Sequence, residues 1–164
     1  MTRKAFCKSR DTTLDKFNMP RILAIDYGQK RTGLAVTDPL KITATPLDTI
    51  PTQKLLPFLN EYLSKEEVET VVLGHPQKLN GQASENMQRV SEFKRAFEKR
   101  FNIPIVYADE RFTSTLAHKA MIESGIGKKK RQDKALVDKI AATIILQTYL
   151  ESLSPTTLQT PLAY

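Results

Sequence analysis

"RILAIDYGQKRTGLAV", residues Arg21–Val36, decides how the chain begins to fold. Residues Arg21–Asp26 read as a strand whose apolar run Ile22-Leu23-Ala24-Ile25 ends in a carboxylate. Gly28 and Lys30-Arg31 follow, and Gly33–Thr37 reads as a second apolar strand. So short a connection makes the pair an antiparallel hairpin. It also leaves Asp26 at the inner end of a core strand, where an unpartnered charge is costly to bury.

Outward from this hairpin, Ile42–Ile50 reads as a third strand, and Pro46 within it suits a sheet edge. The period then changes: Leu55, Leu56, Leu59, Tyr62 and Leu63 mark an amphipathic helix. Glu69–Gly74 is a fourth strand, apolar enough to be central. Ala83, Met87, Val90, Phe93 and Phe97 line one face of a second helix, with Arg89, Lys94, Arg95, Lys99 and Arg100 largely opposite. Ile103–Ala108 is a fifth strand, and helices are expected from about Thr113 to Glu123 and from about Asp133 to Leu150. The pattern predicts an α/β domain: a mixed five-stranded sheet, its first three strands antiparallel, flanked by helices.

A chain of 164 residues, 40% apolar and 26% charged, has room for one domain with a real core. Residues 1–18 lack helical or strand periodicity and read as a flexible arm. Met19 stands directly before the first strand, which fits either an upstream start or a cloning leftover. The domain is expected over 19–150, and residues 151–164, rich in Ser, Thr and Pro, read as a flexible tail. The single cysteine, Cys7, excludes an internal disulfide and a Cys-based zinc site. Apolar stretches such as Ala141–Leu146 are too short to span a bilayer. With no charged-apolar-small leader at the start, the expected location is the cytoplasm. Of the net charge of +7, the first 18 residues hold five Lys/Arg against two Asp, so the remainder is only mildly basic. Charge alone makes a polyanionic partner plausible.

Asp26 has company. Asp109-Glu110-Arg111 follows the fifth strand, before Thr113 or Ser114 can cap a helix. Asp138 shares a helix face with Ala141, Ala142, Ile145 and Tyr149, so it too points inward. Each acid has an ordinary explanation. Asp26 can bond turn amides, Glu110 can pair with Arg111, and Asp138 can complement the helix dipole. A shared cause accounts for all three together: a hard divalent cation bound by oxygen ligands from several elements.

In order, "AIDYGQKRTGLAVTDP", "VVLGHPQKLNGQASENMQRVSEF", "YADERFTSTLA" and "KALVDKIAATIILQTYL" closely resemble the YqgF family, also called RuvX. Its members are described as Holliday-junction resolvases of the ribonuclease H-like superfamily. The resemblance covers most of residues 20–150 and implies a ribonuclease H-like fold. It implies Asp26, Glu110 and Asp138 as catalytic metal ligands, with Asp109 in reserve. Better-studied ribonuclease H relatives place an acid at the end of strand four, where this chain has Gly74-His75-Pro76. The site is therefore expected to be assembled from a different strand. The resemblance further implies two-metal phosphodiester hydrolysis with Mg2+, or Mn2+ in its place. Family members are linked both to junction cleavage and to trimming the 5′ end of precursor 16S rRNA, and the second is the expected role.

Nucleic acid is thus the expected partner, with no membrane contact, and the chain is read as a monomer or homodimer. Lys128, Lys129, Lys130 and Arg131 lie in a glycine-flanked segment, read as a mobile loop, just before the helix of Asp138. They are candidate phosphate contacts, as are Lys30, Arg31 and Arg111. His75 has no visible catalytic partner, and His118, inside a helix, reads as structural. Two other function classes compete. One is a non-catalytic nucleic-acid binder, which has no reason to keep an inward carboxylate cluster. The other is an actin-like ATP-handling protein, which normally needs two such domains.

Overall fold

The computed structural model describes residues 19–75, 85–109 and 113–153. Strands β1 (Arg21–Tyr27), β2 (Arg31–Thr37) and β3 (Ala44–Pro51) precede helix α1 (Leu55–Lys65) and strand β4 (Val68–His75). Helix α2 (Met87–Arg100) leads to β5 (Ile105–Asp109), α3 (Thr113–Glu123), the single-turn α4 (Lys128–Arg131) and α5 (Lys134–Leu153). The five strands form one sheet in the order β3-β2-β1-β4-β5. β1–β2 and β2–β3 are antiparallel, while β1–β4 and β4–β5 are parallel. This is the α/β mixed sheet expected from the strand pattern.

Pro46 lies on an edge strand, as its missing N–H requires. The ladder adapts around it: Leu34 pairs with Asp48 but Ala35 pairs with Pro46, so Leu47 is a bulged extra residue. Two expectations differ. Lys128–Arg131 forms a helical turn rather than a loop, because Gly127 stays extended while the Arg131 amide closes onto its carbonyl. The last helix runs to Leu153, past the boundary expected at Leu150. The arm over residues 1–18 and the chain beyond Leu153 lie outside the described residues.

Alternation along β1 sorts the core into two layers. Leu23 and Ile25 join Leu55 and Leu59 of α1 and Val90, Phe93 and Phe97 of α2 on one side. Ile22 and Ala24 join Ala142, Ile145, Leu146 and Leu150 of α5 on the other. The α5 side is lined by small residues, Ala24, Ala35 and Ala142, so this helix seats close to the sheet. Closest of all is Gly33, where an added Cβ would overlap the backbone carbonyl of Asp138. α3 packs on α5 through the buried Ala117 and Met121.

Gly33→Ala must push α5 off the sheet, because the obstacle is backbone and cannot rotate away. We expect a loss of ~1–3 kcal/mol, the usual cost of overpacking, read from urea unfolding. Phe97→Ala, in the opposite layer, should cost ~3–5 kcal/mol as a cavity without moving α5. A Gly33→Ala protein as stable as wild type would show that the helix is free to shift.

Candidate active site

The β1–β2 hairpin is anchored at its tip. Thr52, in the turn after β3, donates its hydroxyl to the Gly28 carbonyl (2.7 Å), and its amide bonds the Lys30 carbonyl (3.0 Å). Its hydroxyl also meets that of the buried Thr32 at 2.9 Å. From α2's side, Asn86 donates its amide to the Tyr27 carbonyl (2.8 Å), and Phe93 stacks on the Tyr27 ring with centroids 5.1 Å apart. Burial raises the pKa of the Tyr27 hydroxyl above its ordinary value, so it stays protonated. The backbone on both sides of Asp26 is therefore fixed.

Asp26 lies between Ile25, which faces α1 and α2, and shares the parity of Ile22 and Ala24, which face α5. Its side chain projects to the α5 side, partly buried. Its partner in the ladder is Gly33, the residue over which the Asp138 backbone sits. Asp26 and Asp138 thus reach the same end of the same sheet face, each against Gly33: Asp26 lies one strand spacing (~5 Å) to its side, and the Asp138 backbone lies over it. Asp138 is held in turn. The Asp133 carboxylate accepts the Ala135 amide at 3.0 Å at the start of α5. Thr49 of β3 donates to the Ala135 carbonyl at 2.6 Å, and Lys139 pairs with Asp48 at 3.5 Å.

The Asp138 carboxylate accepts a charge-assisted hydrogen bond from Arg31 Nε at 3.0 Å. Both side chains line a cleft of about 540 Å3 with His118 of α3, Arg131 of α4, Gln132, and Lys134 and Val137 of α5. Three cations surround one acid there, a composition suited to an anionic ligand. Lys30 is exposed at the hairpin tip, and Lys128, Lys129 and Lys130 are exposed on α4 without lining this cleft. His118, expected to be structural, is exposed and forms part of the wall.

Glu110 and Arg111 lie outside the described residues. Asp109 is the last residue of β5, paired in the ladder with His75. His75 meets Tyr107 edge-on at 5.0 Å, and Lys94 of α2 lies over the Tyr107 ring, so His75 is on the face away from α5. Among the described residues no three His, Cys, Asp or Glu side chains group to hold a metal ion. The two acids still fit a hard divalent cation in donor type: both offer carboxylate oxygens, and the Asp138 oxygen already draws in a positive charge.

The sequence reading named Arg31 and Asp138 but not their pairing, and it left His118, Asn86, Gln132 and Lys134 out of the site. The Arg31–Asp138 pair spans 107 residues, beyond the reach of any local pattern. His118 was hidden by its helical context. Asn86 carried a usable signal: an Asn just before a helix usually caps it. Here its side chain makes no capping bond and reaches Tyr27 instead.

The family model described as "RuvX: Holliday junction resolvase" matches residues 20–152. A protein of Bacteroides thetaiotaomicron named "Putative pre-16S rRNA nuclease" is 57% identical over 135 residues, covering 82% of this chain and 98% of its own length. Like-named proteins of Porphyromonas gingivalis (56%) and Flavobacterium johnsoniae (52%) cover the same 82% of this chain and 98% of their own lengths. Among solved structures, the fowlpox virus Holliday junction resolvase aligns with a TM-score of 0.51 at 19% identity, over 81% of this chain and 99% of that one, a likeness of fold. With its sheet order, its acid-bearing β1 and α5, and a match spanning nearly the whole described domain, the chain belongs to the RuvX family.

Proposed function

We propose that this chain is a divalent-metal-dependent nuclease that hydrolyses phosphodiester bonds in precursor 16S rRNA, at the 5′ end as the family resemblance implies. The observation that carries the reading is the convergence of Asp26 and Asp138 at one end of the α5 face, beside a cleft walled by Arg31, Arg131 and Lys134. The names borne by relatives at 51–57% identity support precursor 16S rRNA as the substrate. The family description supports a second substrate, the four-way DNA junction.

In this reading Asp26, Asp138 and Glu110 hold the metal, with Asp109 as the alternative third ligand. Bound there, Mg2+ or Mn2+ supplies Lewis-acid charge for the water and the scissile phosphate, with two ions in the form that the resemblance implies. The protein's part is orientation. The anchored hairpin and the close-seated α5 fix the two carboxylates, so little freedom is lost when a ligand arrives. Arg131 and Lys134 receive backbone phosphates in the cleft, with His118 and Gln132 beside them as further donors. Lys128, Lys129 and Lys130 on α4 and Lys30 at the hairpin tip extend the positive surface outward.

The experiment compares Mg2+- and Mn2+-dependent cleavage of an RNA carrying the precursor 16S 5′ end and of a four-way DNA junction. Wild type should cleave the RNA, EDTA should abolish the activity, and added Mg2+ should restore it. Asp26→Asn and Asp138→Asn should each lower the rate by more than the roughly 10–100-fold that losing an outer metal partner costs, with far-UV circular dichroism unchanged. Cleavage of the junction alone would move the substrate to branched DNA. Salt-sensitive binding without cleavage under either metal would overturn the nuclease reading. Glu110→Gln set against Asp109→Asn identifies the third ligand.

A further inference from the structure

Arg31 touches both halves of this site. Its Nε donates to Asp138 Oδ2 at 3.0 Å, and the same side chain lines the cleft with Arg131 and Lys134. The pair is only partly buried: the Arg31 side chain is 40% and that of Asp138 25% exposed. A guanidinium in that setting is held by a modest net energy and has water available on leaving. Arg31 opens β2 directly after the hairpin tip, so its backbone stays fixed by Thr52 while its long side chain can turn.

We propose that Arg31 is an exchangeable counter-ion. Without metal it neutralises Asp138; once a divalent cation takes the Asp138 carboxylate, Arg31 turns into the cleft and binds a backbone phosphate. The inference rests on Asp138 being a metal ligand, as in the function proposed above. Two consequences separate it from a purely structural ion pair. A cation must displace Arg31 to bind, and it meets the repulsion of a nearby guanidinium, so Arg31 weakens metal affinity. Because Arg31 is free only in the metal-bound form, it contributes to nucleic-acid affinity only there. Metal and nucleic acid are thereby coupled, each favouring the state that takes up the other.

The test uses the full chain. Mn2+ is titrated without nucleic acid by calorimetry into wild type, Arg31→Gln, Arg31→Lys and Asp138→Asn. Binding of a fluorescein-labelled single-stranded RNA is then measured in Ca2+ and in EDTA. Arg31→Gln should bind Mn2+ more tightly than wild type, by up to about fivefold, the factor matching loss of a partly exposed ion pair. Arg31→Lys, which keeps the charge, should stay near wild type and serves if the Gln variant folds poorly. Arg31→Gln should weaken RNA binding in Ca2+ and leave it unchanged in EDTA. Unchanged or weaker Mn2+ binding in Arg31→Gln would overturn the exchange, as would an equal RNA defect with and without metal. Wild-type Mn2+ binding in Asp138→Asn would instead strike at the metal assignment on which the exchange rests.

Discussion

The site hangs on one steric constraint, the contact between Gly33 and the backbone of Asp138. Any side chain at residue 33 would hold α5 away from the sheet, and the acid at Asp138 would leave the neighbourhood of Asp26. The alanines at 24, 35 and 142 extend the same close seating along the helix. What the packing gains from these small residues is proximity more than buried area. The large apolar side chains, Phe93 and Phe97 among them, are concentrated in the opposite layer under α1 and α2. Stability and site geometry are thus carried largely by different faces of one sheet.

Two carboxylates at one end of a sheet repel each other, and the fold offsets this with nearby cations. Arg31 meets Asp138 directly, and Arg131 and Lys134 line the same cleft. These charges come from β2 and from the consecutive helices α4 and α5, which meet in space although β2 lies far from them in the chain. Their convergence explains why a net charge that is only mildly basic outside the first 18 residues still yields a locally positive cleft. An anionic polymer is met by position of charge more than by amount.

Much of this was legible in the residues, and the boundary of legibility has a physical cause. The tight hairpin spacing fixed the antiparallel meander, Pro46 marked the edge strand, and the shared face of Asp138, Ala142 and Ile145 survives in the structure. All of these follow from local periodicity or backbone chemistry. The Arg31–Asp138 bond and the Asn86 amide on the Tyr27 carbonyl join residues 107 and 59 apart. No repeat of 2 or 3.6 residues encodes such pairs, because they depend on how whole elements dock. His118 was misread for a related reason: its helix presents one face to α5 and another to the cleft, and periodicity does not say what stands opposite.

The unusual end of strand four gains meaning in this setting. Gly74 shares the parity of Val72 and so lies on the α5 face, where it offers no side chain. The next residue, His75, falls on the other face against Tyr107. Strand β4, between β1 and β5, therefore brings no donor to the end of the face where Asp26 stands. One strand further out, β5 ends at Asp109, opposite His75 in the ladder, and the chain runs on into Glu110. In the function proposed above the third carboxylate comes from this stretch of the sequence, because the end of β4 holds no acid.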